Sequence, residues 1–233
     1  MKIAHLLSPL LLGFAVFAAE TSTETEPKLV TPGKNGAPPS DAIVLFDGKD
    51  LSHWKTETGG EAKWKIGDGY LEVAKGSGNI FSKDEFGDVQ LHVEFAEPIP
   101  AHGTGQDRGN SGVYLQGRYE VQVLDCYNNK TYPNGQTAAI YGIAAPLVNA
   151  CRPPGEWQTY DIVFHAPKQT ADGKVQSGSF TVLHNGVLVQ DHTEIKGEAT
   201  RAANFTGVAE KGPLILQDHG HAVRYRNLWA RPL

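Results

Sequence analysis

From Ile43 to Leu233, apolar and polar residues alternate with a period of two in short runs separated by Gly, Pro, Asn and Asp. That period puts successive side chains on opposite faces of a strand, so each run predicts a strand with one core face and one polar face. Val89, Leu91, Val93 and Phe95 alternate with Gln90, His92 and Glu94, and Tyr119, Val121 and Val123 alternate with Glu120 and Gln122. Gly67-Asp68-Gly69 lies between Trp64-Lys65-Ile66 and Tyr70-Leu71-Glu72-Val73, and Asn185-Gly186 lies between Ser179 to His184 and Val187 to Gln190. Both intervals tolerate positive φ and predict hairpins. Tyr160 to His165, Leu214 to His219 and Val223 to Ala230 complete about twelve short strands, and no window of about a dozen residues carries a helical apolar stripe. The pattern predicts an all-β chain, an antiparallel β-sandwich or jelly roll, with polar residues lining the concave face of one sheet. No repeat of fixed period is present, which argues against a propeller or solenoid.

Composition narrows the reading. At 40% hydrophobic and 20% charged, the chain is unlike a disordered polymer or a coiled coil. Its formal charge is -5, and removing residues 1–19 takes away Lys2 and no acid, giving -6. An electrostatic nucleic-acid binder is disfavoured. Residues 1–19 read as a secretory signal: Lys2 supplies the positive start, Leu6 to Phe17 the apolar run, and Val16-Phe17-Ala18 small residues for cleavage. An apolar run of roughly twelve residues is too short for a hydrocarbon core that needs about 20. The expected product is therefore secreted or periplasmic, with no membrane span. Residues 20–40 are polar, Pro-rich and aperiodic, a flexible linker or loosely applied arm, and residues 41–233 form one domain. Cys126 and Cys151, the only cysteines, could pair as a disulfide after export or remain buried thiols.

Candidate chemistry concentrates in residues 109–125, GNSGVYLQGRYEVQVLD. This reads as two strands joined by a tight turn at Gln116-Gly117. Alternation puts Arg118, Glu120 and Gln122 on one face, while Asp125 joins them only through a bulge or a strand end. A carboxylate, an amide and a cation on one surface suit sugar chemistry: proton transfer, hydroxyl binding and oxyanion stabilisation. Gly109, Gly112 and Gly117 would keep that surface open. In Gln217-Asp218-His219-Gly220-His221, Gln217, His219 and His221 share a side, and His219 could serve as acid, oxyanion donor, metal ligand or plain structural donor. A divalent metal is thus possible, and no donor set is defined. Trp157 could stack on a sugar or cover the core. Arg226 could hold substrate or guard a sheet edge. The long excursion from Asp125 to Asn149 could form a specificity rim, and Asn129 and Asn204 head glycosylation triplets.

Several motifs occur in a recognisable order: Leu45-Phe46-Asp47-Gly48-Lys49-Asp50-Leu51 with Trp54, Gly109-Asn110-Ser111-Gly112, Arg118 to Asp125, Gly155-Glu156-Trp157 with Tyr160-Asp161, and Leu216-Gln217-Asp218-His219-Gly220 with Arg224 to Pro232. Together, across Ile43 to Leu233, they resemble the 3-keto-disaccharide hydrolase family. The resemblance implies a concanavalin A-like lectin/glucanase jelly roll and cleavage of glycosides oxidised to a ketone at carbon 3. It also implies a carbohydrate partner and a separate sugar 3-dehydrogenase, because no dinucleotide fingerprint is present. Glu120-x-Gln122-x-x-Asp125 is similar in spacing to the Glu-x-Asp-x-x-Glu strand of laminarinase-type glucanases. An amide replaces the middle acid, however, and a retaining mechanism needs two carboxyls roughly 5.5 Å apart.

A ketone at carbon 3 acidifies the hydrogen on carbon 2, so elimination followed by hydration is an alternative to ordinary acid and base hydrolysis. The candidate catalytic residues are then Glu120, Asp125, Arg118 and His219, with Asn110, Gln122, Trp157, Gln217 and Arg226 as candidate substrate-binding residues. The competing class is a non-catalytic carbohydrate-binding module of the same fold, which needs hydrogen bonds and stacking but no tuned carboxyl. A structural envelope domain without sugar affinity is the third.

Overall fold

The computed structural model describes residues 26–233. The expected signal at 1–19 and the start of the expected linker lie outside the described residues. Fifteen strands follow in chain order: β1 (Ile43–Phe46), β2 (Trp54–Lys55), β3 (Lys65–Ile66), β4 (Leu71–Glu72), β5 (Ile80–Phe86), β6 (Val89–Ala96), β7 (Ser111–Leu115) and β8 (Tyr119–Val123), then β9 (Gln158–His165), β10 (Lys168–Gln169), β11 (Val175–Gln176), β12 (Gly178–His184), β13 (Val187–Ile195), β14 (Gly212–Leu216) and β15 (Arg224–Pro232). Beyond the runs named from the sequence stand β1, the seven-residue β5 and the two-residue strands β2, β10 and β11, the last three too short to display a period.

Every pairing is antiparallel. An eight-stranded sheet runs β13-β12-β9-β6-β15-β4-β3, with β1 also on β15, and a five-stranded sheet runs β2-β5-β14-β7-β8. The predicted hairpin turns form where positive φ is affordable: Asn185 and Gly186 adopt φ of 53° and 78°, and Gln116 and Gly117 54° and 64°. Consecutive positive φ fits the tight two-residue turn whose twist matches its strands.

The two sheets enclose one core. Val89, Leu91, Val93 and Phe95 of β6, Tyr160, Ile162 and Phe164 of β9, and Tyr225 of β15 meet Val113 and Leu115 of β7 and Tyr119, Val121 and Val123 of β8 in a single cluster. Trp54 lies inside this core, its indole N–H donating to Leu45 O at 2.9 Å. The alternation read from the sequence therefore sorts core from outer face as expected. The outer face of β8 departs from expectation, because its polar side chains are buried as deeply as its apolar ones.

Residues Thr31 to Asp41 lie along the outer face of the larger sheet. Gly36 O accepts from Asn227 Nδ2 and Trp229 Nε1, both at 2.9 Å, and Thr31 and Ser40 bond each other. A Pro-rich segment without a period forms no strand, yet its Gly36 carbonyl finds two donors on β15.

Candidate active site

The five-stranded sheet turns its second face away from the core, and the strand register sets the side chains there in two rows. Phe81, Ile215, Tyr114 and Glu120 lie abreast on β5, β14, β7 and β8. Behind them Gly112 stands opposite Gln122, and Gln217 continues β14 alongside, its N–H donating to Gly112 O at 3.0 Å. Gly112 thus forms the floor between Glu120, Tyr114, Gln122 and Gln217. A Cβ there would collide with Glu120 Oε1 and approach Tyr114 Cε2 to 3.0 Å, so any larger residue would displace the carboxyl from its present position.

Loops wall this floor. Segment 137–141 pairs with the free edge of β8, through Gln122 N to Ala139 O and Tyr141 N to Glu120 O, and Thr200 Oγ1 accepts from Glu120 N at 3.0 Å. These contacts close a strand edge and bury what would otherwise be a solvated face. Gln122 Nε2 donates to Gln106 Oε1 and Gly135 O, tying loops 102–110 and 126–144 together. Phe205 and Ala203 cover Phe81, Tyr114 and Ile215. Tyr132 and Tyr141, their hydroxyls 2.6 Å apart, stand on the rim, where His219 and His221 stack at 5.7 Å and His221 approaches the exposed Asp107.

Glu120 is only 2% exposed. Burial pushes its carboxyl up to about 8, opposed by the Tyr114 hydroxyl beside it. No Lys, Arg or His pairs with it among the described residues. Tyr114 is itself held far above the usual phenol range by burial and by Glu120, and it accepts from Gln217 Nε2 at 2.9 Å. Glu120 Oε2, Gln122 Oε1, Gln217 Oε1 and His221 Nδ1 are buried without a partner in the protein. A buried polar atom left unpaired costs about 1–3 kcal/mol, so the Glu120, Gln122 and Gln217 oxygens flanking a bare glycine call for an explanation beyond folding.

The structure brings together Glu120, Gln122, Gln217 and, on the rim, His219, whose imidazole is lowered by burial and by His221. It separates the other candidates. Asp125 lies past the end of β8, bonded to Arg108 Nε at 2.7 Å and to Tyr127 N at 3.0 Å, which commits it to holding its loop. Arg118 donates to Gln116, Thr206 and Gly207 carbonyls and packs on Phe205. Its guanidinium is occupied at the hairpin end. Asn110 is buried and donates to Gln106 O at 2.8 Å, a loop brace. Trp157 and Arg226 lie on the opposite side of the molecule. Arg226 bonds Glu94 at 2.6 Å and covers the Trp157 ring at 4.1 Å on the outer face of the eight-stranded sheet. Register explains the separation: Arg226 sits opposite Glu94, and both belong to the other sheet.

Cys126 and Cys151, expected as a possible disulfide, are neighbouring thiols. A hydrogen bond with Cys151 lowers the Cys126 thiol to about 7, and Thr137 N donates to Cys126 Sγ at 3.3 Å. Asn129 braces its loop through Gly105 and Asp125. Among the described residues no three His, Cys, Asp or Glu side chains converge as a metal site.

Reading the sequence missed Tyr114, Gln106, Tyr132, Tyr141 and Glu97. Tyr114 was legible in principle, since it faces Glu120 across a two-residue turn. Glu97 was not, because it follows β6 and enters the core, where burial pushes it up to about 8 and Gln158 Nε2 donates to it at 2.7 Å.

Comparison with known proteins bears on the whole domain. Residues 41–231 match the 3-keto-alpha-glucoside-1,2-lyase-like domain. A crystal structure of a putative glycosyl hydrolase from Parabacteroides distasonis is 47% identical, covers 96% of this chain and 100% of its own, and superposes with a TM-score of 0.85. Two more crystal structures of proteins given the same description, from the same organism, share the fold at 21% identity and TM-score 0.61, covering 83% of this chain and 94% of theirs, and at 24% and 0.57, covering 82% and 99%. No curated protein matches the chain. A family match across residues 41–231 means that this chain belongs to the family of the 3-keto-α-glucoside-1,2-lyase-like domain.

Proposed function

We propose that the protein cleaves glycosides whose sugar carries a ketone at carbon 3, and that Glu120 moves the proton. The observation that supports this reading is the Glu120 carboxyl, buried above a bare glycine floor without a cationic partner and pushed up to about 8 by that burial. Ordinary glycoside hydrolysis uses two carboxyls, about 5–5.5 Å or 6.5–9.5 Å apart. Here Asp125 is bound to Arg108, Gln122 is an amide, and Asp107 is 88% exposed on the rim.

A keto sugar requires less of the protein, because the ketone acidifies the adjoining C–H bond. Glu120, once ionised, takes the hydrogen from carbon 2, and the electron pair moves onto the ketone oxygen. As that enolate collapses, the bond from carbon 1 to the leaving oxygen breaks, and the leaving oxygen takes a proton at the open rim. The enone released is the lyase product, and adding water across it gives the net hydrolysis product. Gln122 and Gln217 are the groups that would hold sugar hydroxyls.

The same reading places the protein outside the cytoplasm after loss of residues 1–19, and it requires a separate sugar 3-dehydrogenase to make the ketone. Incubation with a 3-keto disaccharide and with its unoxidised parent, followed by mass spectrometry, tests it. Cleavage of the oxidised substrate alone is expected. Binding of both without turnover would instead indicate a carbohydrate-binding module, and cleavage of the parent an ordinary glycosidase.

A further inference from the structure

Elimination from a keto sugar puts negative charge on the ketone oxygen, and a site that promotes it needs a cation or strong donors there. Arg118, the sequence candidate, is taken up by three backbone carbonyls. Arg108, Arg152, Arg224, Arg226 and Arg231 likewise have acceptors, in Asp125, Trp157 O, Gly155 O, Glu94 and Asp41. Arg201 is the remaining arginine, and no hydrogen-bond or ion-pair partner holds it among the described residues.

Its position follows from its neighbours. Thr200, one residue earlier, bonds the Glu120 backbone N–H, and Tyr141 N donates to Glu120 O. The Arg201 stem lies against Gly142, where an added Cβ would come within 3.2 Å of Cδ and Nε. Its charge reaches the Tyr132 hydroxyl, which burial and Tyr141 push up to about 12 and which Arg201 draws down. Tyr141, whose N–H donates to Glu120 O, shares a hydroxyl contact of 2.6 Å with Tyr132 and is followed directly by Gly142, so Arg201 and the tyrosine pair are carried on the segment that pairs with the Glu120 backbone.

We infer that Arg201, assisted by the paired Tyr132 and Tyr141 hydroxyls, receives the carbon-3 oxygen of the substrate and stabilises the enolate formed when Glu120 removes the carbon-2 hydrogen. The inference rests on the proposed reaction and assigns the electrophilic half of it. The step balances: the C–H pair becomes the carbon-carbon double bond of the enolate, the carbonyl pair moves to oxygen, the proton stays on Glu120, and Arg201 remains charged throughout.

The test follows carbon-2 hydrogen exchange in deuterated water, together with product release, for wild type, Arg201→Gln and Arg201→Lys. Expected for Arg201→Gln is a loss of kcat of about 100-fold or more, the size typical of removing one oxyanion donor, with a smaller change in KM, a parallel loss of exchange, and partial recovery in Arg201→Lys. A wild-type enzyme that exchanges and cleaves while Arg201→Gln does both within threefold would overturn the inference and leave the proposed function standing. Wild type that neither exchanges nor cleaves would overturn both. If Arg201→Gln changes KM alone, Arg201 binds substrate without stabilising the enolate, and the inference also fails.

Discussion

Glu120 and Glu97 share an elevated value near 8 from the same cause, burial, but differ in what surrounds them. Glu97 faces Gln158 inside the core, whereas Glu120 faces a glycine floor with unpartnered amide oxygens around it. Both carboxyls bind a proton in the folded chain over a pH range in which the unfolded chain has lost it. Stability should therefore fall as pH rises from about 4.5 to about 8 and level off above that, by up to about 5 kcal/mol per group. Glu97→Gln copies the protonated form, so its denaturant midpoint should exceed that of wild type at pH 8 and approach it at pH 5. Equal differences at both pH values would show that Glu97 is not protonated in the fold. Gly112→Ala tests the other carboxyl sterically: the added methyl collides with Glu120 Oε1. Activity should drop at least about tenfold from misplacement of the proton carrier, with the melting temperature held within a few degrees.

At the scale of elements, hairpins and loops differ in how far they could be read from the sequence. The Asn185-Gly186 and Gln116-Gly117 turns were legible because two adjacent residues must take positive φ and few residue pairs do so cheaply. The core faces of β6, β8 and β9 were legible because period two survives along each strand. The walls of the site were not. Segment 137–141 closes the edge of β8 through backbone hydrogen bonds, which leave no side-chain pattern, and Tyr132 and Tyr141 become partners only once that segment is in place. For the same reason the sequence grouped Trp157 and Arg226 with residues of the other sheet, since alternation assigns a face to each strand and not a sheet.

The 126–151 loop carries Tyr132, Gly135 and Tyr141 between two adjacent thiols. In an oxidising medium we expect Cys126 and Cys151 to join. Closing a loop of this length should stabilise the fold by about 3 kcal/mol, read as a reductant-dependent fall in melting temperature that Cys126→Ser abolishes. No effect of reductant on air-oxidised protein would show that the thiols stay apart.

For the whole molecule, the two sheets present two unlike outer faces. The outer face of the larger sheet carries the arm from Thr31 to Asp41, the Glu94 to Arg226 pair and the Trp157 stack. The outer face of the smaller sheet carries Glu120 and its amide neighbours beneath loops. Function is assigned here to the second face, so Trp157→Ala should leave kcat/KM on a 3-keto glycoside within about twofold, as for a residue that makes no transition-state contact. A loss of ten-fold or more with an unchanged melting temperature would move the site to the other side of the sandwich.

The most direct measurement is the pH dependence of kcat/KM on a 3-keto disaccharide for wild type and Glu120→Gln. The free-enzyme profile reports the group that must ionise. Wild-type activity should rise with pH to a plateau with an apparent value near 8, matching the buried carboxyl, and Glu120→Gln should lose at least about 100-fold at every pH. A wild-type profile that is flat between pH 6 and pH 9, or a Glu120→Gln enzyme that keeps full activity, would contradict the account.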